Sequence, residues 1–188
     1  MIKKLKINKG FTLVEMTVVV AIFVLVYAAS LANFRKGDNR SELLLAAENL
    51  AGDIKKIQTQ TLSGSVAEEI EPVGGFGVYF NLTNNSQYVL FRDNGDEQFQ
   101  AQPGDDAVLE TVQLPGSITL DELLFNDQPT ADLTIVFKPP KPDIYFNDAL
   151  AASSTIVLAS EKLNEQAGKI SVYKFTGKVS AELINLPN

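Results

Sequence analysis

The sequence predicts an α+β protein: a long N-terminal helix followed by a β-rich domain. Three observations carry that expectation. Residues 11–34 are almost wholly apolar. Residues 41–62 then place apolar side chains on one face of a second helix. From about residue 75 the apolar period drops from 3.6 to 2. A helix packed on an antiparallel sheet satisfies all three.

The first ten residues, MIKKLKINKG, hold Lys3, Lys4, Lys6 and Lys9 and no acid. Met16 to Ala29 is rich in Val, Ile, Leu and Phe. As a helix, residues 11–34 would span roughly 36 Å, enough for a bilayer core of about 30 Å. The lysines should then stay cytoplasmic and the C-terminal body should face outward.

NFRKGDNR, residues 33–40, breaks the apolar pattern. Gly37 is expected to interrupt the helix. Asn39, with Glu42 three residues on, suggests a restart with a capping box. Leu43, Ala47, Leu50, Ile54 and Ile57 then recur at 4-3-4-3 spacing, a stripe that should pack on the sheet. Glu48, Asp53, Lys55 and Lys56 lie off it. Ser63-Gly64-Ser65 should end this helix.

Phe76, Val78, Phe80 and Leu82 alternate with Gly77, Tyr79 and Asn81. Thr83-Asn84-Asn85-Ser86 and then Tyr88-Val89-Leu90-Phe91 complete a β-hairpin. Further strands are expected near 108–114, 117–120, 133–138, 155–159, 169–175 and 178–183. The last two should form a hairpin about Thr176-Gly177. Pro139, Pro140 and Pro142 mark a loop or strand end. Residues 121–132 and 160–168 read as polar connections. The aromatics Phe76, Tyr79, Phe80, Tyr88 and Phe91 read as core and cross-strand pairs.

Composition excludes much. The chain has 188 residues, a net charge of -7, and no Cys, His or Trp. Without the basic segment the balance is 12 basic against 23 acidic residues. An acidic body repels phosphates, so nucleic acid is not an expected main partner. Thiolate chemistry, Cys or His metal sites and histidine triads are ruled out. So is a disulfide, and the core must hold without one.

Glu15 is a carboxylate inside the apolar run. A charge within a spanning helix costs a few kcal/mol and usually has a partner. A secretory signal peptide cut near Tyr27-Ala28-Ala29-Ser30 leaves Glu15 unexplained. So does a plain signal anchor. Lys9-Gly10-Phe11-Thr12-Leu13-Val14-Glu15, between a basic leader and an apolar helix, closely resembles the processing motif of type IV pilins and pseudopilins.

That resemblance implies that a prepilin peptidase cuts between Gly10 and Phe11 and that Phe11 becomes N-methylated. Glu15 matches the acidic fifth residue of the mature chain. It would lie one helical turn from the new ammonium, which it could neutralise in its own subunit or in the next. Two such charges attract far more strongly in a low-dielectric setting than in water.

The resemblance implies a pilin-like fold with four parts. These are a cleaved leader (1–10), a transmembrane or filament-core helix (11–34), a linker and amphipathic helix (35–62) and a β-rich globular domain (63–188). GGFGVYF…YVLFRDNGDEQF, Val112-Gln113-Leu114-Pro115 and KISVYKFTGKV resemble the H-type minor pseudopilins of type II secretion and related minor type IV pilins.

Other chemistry is thinly marked. Asp93-Asn94-Gly95-Asp96-Glu97 is an oxygen-rich turn, and Asp93 and Asp96 are weak candidate Ca²⁺ ligands, with Asp105-Asp106 as further candidates. EF-hand spacing is absent, and the run reads first as a plain solvated turn with no metal. No carboxylate pair stands out, and Ser153-Ser154 lacks a nucleophile elbow. No P-loop or dinucleotide fingerprint is present. No cofactor and no catalysis are expected. Lys138, Lys141, Lys162, Lys169, Lys174 and Lys178 would carry DNA contact if they gathered on one side.

The expected protein is a non-catalytic, minor pilin or pseudopilin of a type IV pilus, competence pilus or type II secretion filament. Its expected partners are the prepilin peptidase, other pilin subunits, the inner-membrane assembly platform and the membrane itself. The expected location is a single pass in the inner membrane, then the filament. The alternatives are a membrane-anchored binding module that never polymerises and a DNA-uptake minor pilin.

Overall fold

The structure, a computed structural model, describes residues 12–63, 74–96, 98–99, 106–139, 143–149 and 151–186, with the side chains of 29 and 31–36 outside that description. Two compact units result, Met1–Asp38 and Asn39–Asn188. One helix, α1 (Leu13–Ser63), takes in both helical segments expected from the sequence. The expected interruption at Gly37 and the capped restart at Asn39 are therefore corrected. A single glycine costs a helix about 1 kcal/mol relative to alanine, which propagation of an established helix can absorb. Glu42, expected to cap the restart, instead bonds to Ser117 and Lys162. The helix ends at Ser63, as expected.

Among the described residues of the second unit, ten strands follow. They are β1 (Gly75–Asn81), β2 (Gln87–Asp93), β3 (Ala107–Gln113), β4 (Ile118–Phe125), β5 (Gln128–Thr130), β6 (Asp132–Lys138), β7 (Asp143–Phe146), β8 (Ser153–Ser160), β9 (Leu163–Tyr173) and β10 (Val179–Asn185). They form two five-stranded antiparallel sheets, ordered β3-β2-β1-β6-β7 and β10-β9-β8-β4-β5. The β1–β2 and β9–β10 hairpins stand where the sequence placed them. This is an α+β, pilin-like fold.

Both polar "connections" contain strand. Residues 121–125 continue β4 and lead to β5, because a register shift between Leu120 and Glu122 breaks the alternation that period-2 reading depends on. The intervening Asn126 and Asp127 take φ of 50° and 62°. Asn147 and Asp148 do the same after β7, at 46° and 59°. Asn and Asp tolerate this left-handed region better than other side-chain-bearing residues. Residues 163–168 open β9, and Asn164 and Glu165 are polar because they face solvent. Strand β7, four residues long, was not expected beside three prolines.

One hydrophobic cluster joins the helix to both sheets. Leu43, Ala47, Leu50, Ile54 and Ile57 are all buried, as the stripe required. They share that cluster with Val78, Phe80 and Leu90 of one sheet and Leu120, Leu158 and Ile170 of the other. Close approach is set at Gly168 of β9, where an added Cβ would stand 3.2 Å from that of Ala47. The aromatics behave as core, except that Tyr79 is half-buried. Its ring stacks at 4.7 Å on Phe99, which also meets Phe91 at 4.9 Å.

Candidate functional site

Gly10 and Phe11, the expected processing pair, lie outside the described residues, as does the whole leader. Glu15 is described, in the first turn of α1. Thr12 N donates to Glu15 Oε2 at 3.3 Å, and Glu15 N donates to Thr12 Oγ1 at 3.2 Å. Thr12 Oγ1 also lies 3.4 Å from Glu15 Oε2 as a donor. This reciprocal arrangement is a capping box: it satisfies two of the helix's orphan N–H groups. The carboxylate also sits at the positive end of the helix dipole. The signature T-x-x-E before an apolar run stands in the sequence as Thr12-Leu13-Val14-Glu15, the one local signal of this cap.

Beyond the cap, the apolar side chains of residues 13–28 are exposed on every side, Leu13 at 79% and Phe23 at 70%. A helix apolar all round needs an apolar surrounding. Among the described residues no helix is long and apolar enough to cross a membrane. The apolar run with described side chains covers residues 13–28, and a span needs about 20.

The acidic turn after β2 is better organised than its spacing suggested. Ligand oxygens of Asp93, Asp96 and Asp106 lie within 4.8 Å of one another. Asp93 is 1% exposed and Asp106 is also buried. Gly95 N donates to Asp93 Oδ2 at 3.1 Å, and Asn94 N donates to Asp106 Oδ1 at 3.0 Å. Gln98 N donates to Asp96 Oδ1 at 3.1 Å, so a backbone donor holds each of the three carboxylates. Three hard oxygen donors suit Ca²⁺ by type, though they fill only part of its six to eight positions. Glu97 and Asp105 lie outside the described residues.

Of the lysines singled out, two share one aromatic ring and a third is tied to a carboxylate. Lys162 pairs with Glu42 at 3.2 Å. Lys138 and Lys174 stand over the Tyr145 ring, 5.8 and 5.5 Å from its centroid. Lys141 lies outside the described residues.

A groove of about 470 Å³ runs between α1 and the β2–β3 edge, with Ala46, Gly52, Val112 and Leu114 in its lining. Glu48 and Asp53 bring carboxylates to it. Tyr88 Oη donates to Asp53 Oδ2 at 2.6 Å. Burial, and then the Asp53 carboxylate, push the Tyr88 phenol well above its ordinary value. The other titrating contact is Glu42, held below its ordinary value first by the Ser117 hydroxyl and then by Lys162.

Residues 5–31 match the family model described as the prokaryotic N-terminal methylation motif. Neither the curated proteins nor the solved structures yielded a match to this chain. The motif supports a pilin- or pseudopilin-type substrate of prepilin peptidase, a class whose members are structural subunits.

Proposed function

We propose that this chain is a non-catalytic, minor subunit of a type IV pilin-like filament. The reading rests on one observation: the methylation motif over residues 5–31 runs directly into a helix of bare apolar side chains. The peptidase cuts between Gly10 and Phe11, and Phe11 is N-methylated. The apolar part of α1 holds the chain in the inner membrane as a single pass, with the leader inside and the β-rich domain outside. It later packs among equivalent helices in the filament core. Glu15 meets the ammonium of Phe11, in its own or a neighbouring subunit, and sets the axial register. The assembly platform and other subunits are the partners, and the H-type pseudopilins of type II secretion are the nearest pattern for the domain.

N-terminal sequencing and intact mass of the mature protein test the processing step. The expected chain starts at N-methylated Phe11. A start near residue 29 would mean ordinary secretion, and an intact Met1 beside an active peptidase would mean a plain anchor. Glu15→Ala tests assembly: membrane insertion should persist while recovery in the filament fraction is lost. A module that never polymerises would be indifferent to that change.

A further inference from the structure

Gly52 occupies the interior of α1, where alanine would be more stable. Nothing lies within 4 Å of the position its Cβ would take. No close neighbour in the folded chain therefore requires the glycine, and its bare surface lines the groove of about 470 Å³. At the rim, among the described residues, Glu48 carries no ion pair and Asp53 accepts from neutral Tyr88 alone. The groove has a mixed lining, with Asn49 and Gln113 beside Ala46, Val112 and Leu114, and it is acidic at its edge and open.

The complementary feature is the turn between β9 and β10. Phe175, at its tip, is 86% exposed, the most exposed large apolar side chain among the described residues. Lys174 and Lys178 flank it, and neither has an ion pair among the described residues. Lys174 rests only against Tyr145. The turn is built firmly: Gly177 N donates to Tyr173 O at 2.9 Å, and Gln58 Nε2 donates to Gly177 O at 3.2 Å. A rigid aromatic flanked by cations is the composition of an interface anchor.

We infer that Phe175 of one copy docks in the Gly52 groove of a second copy, with Lys174 and Lys178 facing Glu48 and Asp53. Gln58, which holds the tip, is six residues beyond Gly52, roughly 120° round the helix and 9 Å along it. Knob and socket therefore lie on different sides of α1. A contact between two different patches is heterologous, and it extends a row of copies rather than closing a pair. Local charge complementarity is needed because the chains as wholes are acidic and repel one another. The contact rests on the subunit reading above and names the surface by which the outer domains meet.

The chain contains no cysteine, so introduced thiols report cleanly. The full chain, expressed in its host membrane with the assembly machinery present, would carry Asn49→Cys and Thr176→Cys together, which leaves Phe175 and Gly52 in place. Both positions are exposed, so folding is not at stake. Mild oxidation should yield a ladder of covalent multimers, absent from either single variant. Adding Lys174→Glu should cut the ladder roughly tenfold, and adding Glu48→Lys as well should restore it. No ladder, in a chain still recovered with filaments, overturns the contact and leaves the subunit reading standing. A ladder that persists when Glu15→Ala abolishes filament recovery upholds the contact between copies. A ladder indifferent to both charge changes overturns the docking geometry.

Discussion

Tyr88 of β2 and Asp53 of α1 share a 2.6 Å hydrogen bond that ties the helix to one sheet. The donor is a phenol almost wholly buried, and the acceptor is a carboxylate at the groove edge. Tyr88→Phe keeps the ring in the core and strips the carboxylate of its donor. The expected loss is about 1.5–3 kcal/mol, measured by urea unfolding at neutral pH.

The same pair makes stability sensitive to alkali. The phenol's folded pKa lies above its ordinary value of 10, through burial first and Asp53 second. Its contribution is therefore complete below about pH 10 and is lost as pH rises beyond that, where the unfolded chain ionises first. Urea midpoints followed upward through pH 10 should fall in the native chain, and Tyr88→Phe should lack that part of the fall.

Glu42 works at the opposite end of the scale. Ser117 Oγ donates to it at 3.0 Å and Lys162 Nζ at 3.2 Å, and together they hold it below 4.5. A depressed carboxyl stabilises above its unfolded pKa and loses that contribution as pH falls through the folded one. Thermal melts between about pH 6 and pH 3 should therefore show a smaller acid loss for Ser117→Ala than for the native chain.

The capping box separates two roles of Glu15. Glutamine can take the acid's place in such a box, but it carries no charge. Glu15→Gln should keep the helix start and still abolish incorporation into filaments, if the charge meets the Phe11 ammonium as proposed. Thr12→Ala should do the reverse, losing about 1 kcal/mol of local helix stability with the charge intact. Hydrogen exchange over residues 12–15 and the recovered filament fraction read the two effects independently.

Ser154 offers a stabilising change. Its side chain is 1% exposed, and its Oγ has no hydrogen-bond partner among the described residues. Leaving a buried hydroxyl unsatisfied costs about 1–3 kcal/mol, so Ser154→Ala should raise stability by about 1 kcal/mol or more. A chemical-denaturation midpoint that falls instead would show that the hydroxyl has a partner in solution.

Periodicity carried most of the fold. The 4-3-4-3 stripe of Leu43 to Ile57 and the alternation from Phe76 to Phe80 each translate directly into buried faces. It failed where the period itself is interrupted, at the bulge after Leu120, and where polar residues face solvent from a true strand, at Asn164 and Glu165. It also overrated Gly37, because one glycine weakens a helix without breaking it. At the candidate site, Glu15 stood out by its charge, while its bond to Thr12 was legible only as a capping signature. Asp106 joins Asp93 and Asp96 through long-range folding of the chain between them, which no local spacing encodes. Tyr88 and Asp53, 35 residues apart, met for the same reason.

The two sheets close around Phe80, Phe137 and Phe146 with no thiol anywhere in the chain. Every contact that defines the domain is indifferent to redox potential. No disulfide has to be formed or reshuffled for these residues to reach this arrangement. An oxidative burst that scrambles cysteine-stapled neighbours would leave this scaffold's connectivity as it was.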